Sequence, residues 1–191
     1  MKRLAVVTAL IAIAAPFAIA QTSGWSNDPA HSEVDFTILH LGISKVHGRF
    51  GHVTADVQLN EADVTKSTVQ VSIDVAGVET GEEARDKHLK TDAFFDVAKF
   101  PTATFTSTSV AKSGSGLTVV GNLTLHGVTK PVTLQVDAPN GPLPGMDKKP
   151  HTGYEATTTI SRNAFGIGTS FPTAVLGDDV KLTIELDTVK K

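Results

Sequence analysis

The strongest constraint on this chain is a two-residue rhythm. Val69, Val71, Ile73 and Val75 alternate with Thr68, Gln70, Ser72 and Asp74. A strand points successive side chains to opposite faces, so such a segment has one apolar and one polar side. The same alternation runs through Val34, Phe36 and Ile38, through Val53, Ala55, Val57 and Leu59, and through Leu117, Val119, Leu123 and Leu125. It returns in Val132, Leu134 and Val136 and in Val180, Leu182, Ile184 and Leu186. Weaker stretches near 102–110 and 153–160 bring the reading to roughly eight strands. Turn residues separate them: Asn60-Glu61-Ala62-Asp63, Ser113-Gly114-Ser115-Gly116 and His126-Gly127. Connections this short make consecutive strands neighbours. The expectation is an all-β, antiparallel up-and-down meander that closes into a barrel, because closure removes exposed edges. A two-sheet sandwich would read much the same.

Residues 1–20 stand apart. Lys2 and Arg3 precede an apolar run, Leu4 to Ile19, interrupted by Thr8 and Pro16. Ala18-Ile19-Ala20 then supplies the small-x-small pattern of a signal-peptidase site. The run is shorter than the roughly 20 residues a spanning helix needs. The segment therefore reads as a signal peptide cleaved after Ala20, with residues 21–191 a single exported domain and not an integral membrane protein. Without Lys2 and Arg3 the 17 basic residues fall to 15 against 20 acidic, a net charge of −5. That balance disfavours nucleic acid and anionic membrane surfaces as partners. The chain has no cysteine, which excludes disulfides, thiolate metal sites and lipoprotein attachment.

One segment breaks the rhythm: a short helical insert is expected near 82–96. Glu82 to Lys90 holds good helix formers and no Gly or Pro. Arg85, His88 and Leu89 share a face, and Asp86 can pair with Lys90 at i, i+4. Thr91 or Asp92 could cap a second turn carrying Ala93, Phe94 and Phe95. Such an insert would plug one end of the barrel, and a plug is also the floor of any cavity above it. Residues 139–150, rich in proline, read as a long surface loop without chemistry.

Several ordered motifs resemble the YceI-like family. They are Asp28-Pro29-Ala30-His31-Ser32, the run from Phe36 to Ser44, Val46-His47-Gly48-Arg49-Phe50, residues 85–108, and Gly121 to Leu134. The resemblance spans nearly all of residues 21–191. It implies a lipocalin-like antiparallel up-and-down β-barrel in the bacterial periplasm, enclosing a long apolar cavity. It further implies a polyisoprenoid, quinone-type or similar amphiphilic lipid as ligand, no covalent cofactor, and a homodimer.

On this reading the inward residues line the cavity: Phe36, Ile38, Val53, Val71, Ile73, Phe94, Phe95, Phe105, Leu123 and Leu125. Small residues such as Gly51 and Gly121 should leave space among them. Arg85, Asp86 and His88 read as structural anchors at the barrel end. No metal site is expected, because the seven histidines show no i, i+4 pair on a predicted helix and no zinc-motif spacing. His31, His40 and His88 read instead as hydrogen-bonding anchors in the barrel ends. No catalytic residue is expected either: Ser44 and His47 lie close in sequence without a nucleophile elbow, and Asp178-Asp179 read as a solvated turn. The expected function is a binding or carrier protein for a long-chain lipid, not an enzyme. The alternatives are a stress-related interaction protein with incidental lipid binding and an enzyme acting on an isoprenoid lipid.

Overall fold

A computed structural model describes residues 22–191. The signal-peptide expectation and its cleavage position lie outside the described residues. The strands are β1 (Thr22–Asn27), β2 (Glu33–His40), β3 (Ser44–Phe50), β4 (Val53–Asn60), β5 (Thr68–Asp74) and β6 (Val78–Glu79), then, after helix α1 (Glu83–Leu89), β7 (Thr102–Ser113), β8 (Gly116–Leu125), β9 (Val128–Val136), β10 (Asn140–Pro144), β11 (Pro150–Ser161) and β12 (Leu176–Lys190).

All pairings are antiparallel, and the last strand returns to the first. β12 pairs with β11 along one edge, and with β2 and then β1 along the other. β1 with β2, β3 with β4, and β5 with β6 each act as one long, kinked strand. The ring therefore holds eight long strands in chain order, a closed up-and-down barrel.

The eight-strand expectation is met, although three of the strands run further than the alternation revealed. β1 was invisible because its inward residues Ser23, Trp25 and Asn27, all buried, are not an apolar series. β3 hides because its inward face carries Gly48, over which the Phe36 ring lies. Gly121 is roofed by Phe105 in the same way. Gly51 is exposed at a kink. Neither Gly51 nor Gly121 thus opens the interior, contrary to the expectation from their size.

The kinks are satisfied by side chains. Asn27, buried where β1 bends, donates Nδ2 to the Val53 carbonyl at 2.8 Å and accepts the Ala55 N–H at 2.7 Å. Val75 ends no strand; it opens the 3₁₀ turn Val75–Gly77, with Asp74 accepting the Ala76 N–H at 2.9 Å. Residues 139–150 are not a bare loop either. β10 pairs with β11 as an added edge strand, where prolines are tolerated because an edge N–H has no ladder partner.

One end of the barrel carries the β2–β3 hairpin, the crossover 75–101 with α1, the His126-Gly127 turn and residues 162–175. The opposite end carries the connections 60–68, 113–116 and 137–150. The buried core forms two clusters, both of which pack against Leu89 and Phe95 of the crossover. One cluster centres on Val34, Phe36, Phe50, Val53, Val75, Val78 and Ala103. The other gathers Phe94, Phe105, Leu123, Ile160 and Phe165 around the inserts.

Candidate functional site

The barrel encloses two abutting apolar cavities. The one at the α1 end has a volume of about 360 Å³, and the one toward the opposite end about 620 Å³. Val34, Ile73, Leu123 and Leu182 line both, so the two meet at the waist of a single apolar interior. Each lies in or near the range of about 300–1,000 Å³ common for small-molecule sites.

Helix α1 is only seven residues long, too short to persist alone. Glu82 caps it, accepting the Ala84 N–H at 3.3 Å. Thr80 then ties it down from both sides. Asp86 accepts the Thr80 N–H at 2.9 Å and the Thr80 hydroxyl. Arg85 donates Nε to Thr80 Oγ1 at 2.7 Å and Nη2 to the Thr80 carbonyl at 2.8 Å. Asp86 thus neither balances Arg85 nor pairs with Lys90; the ion pair on the helix is Glu83–Lys87. There is no second capped helix either, since residues 91–99 form successive turns.

These turns deliver the aromatics. The Phe94 ring stacks on Phe171 at 5.1 Å, and His88 meets Phe94 edge-on at 5.0 Å. Phe95 packs edge-on against Phe50 at 5.7 Å, and Phe50 lies 5.5 Å from Phe36. The series covers the α1 end of the interior, so plug and cavity floor are one structure. Phe100 does not take part; it packs on His126 at 4.8 Å.

A second brace escaped the sequence reading. Arg162 is 2% exposed. Its Nε donates to the Gly177 carbonyl, Nη1 to Asn163 Oδ1 and to the Ile167 and Gly168 carbonyls, and Nη2 to the Phe171 and Leu176 carbonyls. One guanidinium thereby shapes the whole connection from 162 to 177. Asp178 supports it by accepting the Asn163 N–H at 3.0 Å and the Ser161 hydroxyl at 2.7 Å. Those bonds hold its carboxyl below the ordinary range, that from the Asn163 N–H contributing most. Asp178 is therefore a loop clamp within β12, not part of a solvated turn.

Polar groups at the other end are partly paired. Lys190 donates to Glu61 at 2.9 Å and lies 5.8 Å from the centre of the Trp25 ring. The bond from Lys190 lowers the Glu61 carboxyl. Trp25 donates Nε1 to Ser23 Oγ at 2.9 Å. Burial pushes the Tyr154 hydroxyl up. No buried side-chain polar atom among the described residues lacks a partner. The lining is mostly hydrocarbon, with His40, Arg85 and His88 reaching it at the α1 end and Tyr154 and Thr158 toward the other.

Of the ten residues read as cavity lining, Phe36, Ile38, Phe94, Phe95 and Leu125 lie on the first cavity, Val71 and Phe105 on the second, and Ile73 and Leu123 on both. Val53 lies on neither; it is 2% exposed and packed into the core beside the kink. Arg85 and His88 reach the first cavity wall. Trp25, Tyr154 and Arg162 also line the interior and were missed. The single Trp and single Tyr were the available signal for two of them. His40 faces the first cavity, whereas His31 sits at the β1–β2 kink beside Asp28 at 2.9 Å. His47 bonds Thr37 at 3.1 Å rather than Ser44.

A closed meander of eight strands around an apolar interior, floored by a helical crossover, defines a lipocalin-like barrel. The YceI-like domain model matches residues 25–188. Protein YceI of Salmonella arizonae is 40% identical over 165 residues, covering 84% of this chain and 83% of that protein. The chain belongs to the YceI-like family. BcnA of Burkholderia cenocepacia superposes with a TM-score of 0.75 at 27% identity, over 84% of this chain and 98% of that one. A polyisoprenoid binding domain from Saccharophagus degradans, implicated in plant cell wall breakdown, shares the fold with a TM-score of 0.62 at 18% identity, over 87% and 98% of the two chains.

Proposed function

We propose that this protein is a non-catalytic carrier for a long apolar chain of the isoprenoid or quinone type, working in the periplasm after cleavage behind Ala20 and as a homodimer. The observation that carries the reading is the apolar interior itself, about 360 Å³ and 620 Å³ meeting at Ile73 and Leu123. Each buried CH₂ contributes about 0.8 kcal/mol, and a wall made mostly of hydrocarbon favours an apolar chain over anything hydrated. Ordering and association costs offset much of that gain, so the binding is tight but reversible. The polyisoprenoid binding domain of the same fold supports an isoprenoid over a straight acyl chain.

The test is extraction of the purified protein with organic solvent, followed by mass spectrometry. The wild type should yield a stoichiometric isoprenoid-type lipid, and Ile73→Arg, placing a cation at the waist, should yield none. Leu123→Gln is the milder variant should the arginine prevent folding. A folded variant that retains its lipid would place the site elsewhere, and a wild type with no lipid would remove the carrier reading. On the same preparation, intact mass should begin at Gln21 and light scattering should give twice the chain mass. A retained leader or a monomer would overturn those two parts.

A further inference from the structure

Outside the barrel wall, opposite in character to the apolar interior, the fold gathers five polar side chains from distant parts of the chain. Asp28 and His31 come from the β1–β2 kink, Asp187 from β12, His151 from β11, and Asp147 from the β10–β11 connection. We infer that Asp28, His31 and Asp187 form a binding site for one divalent transition cation of the zinc type, with His151 orienting Asp187 from behind.

The ligand atoms of Asp28, His31 and Asp187 all lie within 4.8 Å of one another. Donors held at about 2.0–2.2 Å around one tetrahedral ion lie roughly 3.4 Å apart. The Asp28–His31 pair, hydrogen-bonded at 2.9 Å, would therefore open slightly, and the widest separation would close by somewhat more than about 1 Å, a shift the exposed His31 side chain can make. The backbone places these groups independently of any ion: Asp28 N–H donates to the Asp187 carbonyl at 2.8 Å, and His31 N–H to the Asp28 carbonyl at 3.2 Å. The Ser32 hydroxyl adds a bond to the Asp187 carbonyl at 3.4 Å. The kink is thus pinned to β12 before the side chains are considered.

Behind the three ligands stands a second layer. His151 Nδ1 lies 2.9 Å from Asp187 Oδ1, and its Nε2 lies 3.2 Å from Asp147 Oδ1. The outer carboxylate–imidazole–carboxylate chain resembles the outer shells that fix ligands around bound metals. It leaves the second oxygen of Asp187 for the ion.

Charge points the same way. Asp28, Asp147 and Asp187 converge, yet their ion-pair partners among the described residues are only the two imidazoles. Lys149 is near Asp147 without pairing. With three carboxylates against two imidazoles the cluster keeps a net negative charge that a divalent cation would offset. One imidazole and two carboxylates suit zinc-like ions.

The experiment is calorimetric titration of Zn²⁺ into untagged full-length chain after treatment with chelator. One equivalent should bind saturably, raise the melting temperature, and come off again with EDTA. His31→Ala and Asp187→Asn should each abolish the one-equivalent step, while His151→Gln should weaken it by roughly 10–100-fold. His47→Ala, on the outer face of β3, should change nothing. No saturable heat, or an undiminished step in His31→Ala, would overturn the site, leaving the cluster as paired imidazoles and carboxylates. Asp28→Asn repeats the test should His31→Ala fail to fold. Because the lipid extraction does not depend on these residues, failure here leaves the carrier reading standing.

Discussion

Replacing Arg162 by methionine removes the side chain with the most hydrogen bonds among the described residues. Six hydrogen bonds depart with it, five of them to main-chain carbonyls between Ile167 and Gly177. A hydrogen bond to a charged group contributes about 1.5–3 kcal/mol, but the gross sum overstates the loss. Methionine spares the cost of burying a cation, and water can reach some of the freed carbonyls. Each carbonyl left buried and unsatisfied costs about 1–3 kcal/mol, so with only a few of them staying dry the net loss is on the order of 3–5 kcal/mol. For a chain of this size each kcal/mol lowers the melting temperature by about 2–4 °C, so a fall on the order of 10 °C is expected. Thermal melts followed by far-UV circular dichroism measure it. Limited proteolysis should find new cleavage between 162 and 175. Arg162→Lys should not rescue the fold, since an ammonium has three donors where the guanidinium has five. A methionine variant within about 1 kcal/mol of wild type would refute the reasoning. It would show that the connection is held by its apolar contacts and not by the guanidinium.

Two further outcomes follow from the braces at the same end. Asp86→Ala frees both Thr80 donors; it should cost about 1–3 kcal/mol, read as a lowered denaturation midpoint, while the extracted lipid stays the same. The Asp178 carboxyl has its folded pKa below the unfolded value of 3.8, so its contribution is present above that value and is lost as pH falls through the folded pKa. Urea melts between about pH 5 and about pH 2 should therefore show Asp178→Asn destabilised at the upper end, the gap to wild type closing toward the lower. A gap independent of pH would mean that the charge plays no part.

Much of the barrel was legible because strand periodicity is a local property. Val69 to Ile73 and Val180 to Leu186 announce their inward faces with no knowledge of their neighbours, and short turns such as His126-Gly127, where both residues have positive φ, fix the order of pairing. The cavity walls followed from the same alternation, since one face of a closed sheet must point inward. What stayed hidden depends on groups far apart in the chain. Gly48 and Gly121 look like empty positions until the fold lays Phe36 and Phe105 across them. Asn27 and Ser23 look like surface residues until the bend between β1 and β2 leaves backbone groups of β4 for Asn27 to bond. Arg162 finds its carbonyl acceptors only after the connection from 162 to 177 has folded around it. The grouping of residues 28, 31, 147, 151 and 187 likewise arises only when β12 closes the barrel against both β11 and the β1–β2 kink. The sequence determined which faces are apolar, because burying hydrocarbon needs only a repeating side. Only the tertiary structure decided which polar groups are satisfied and by whom, because a hydrogen bond requires a particular partner at about 2.9 Å, and that partner is set by closure of the whole sheet.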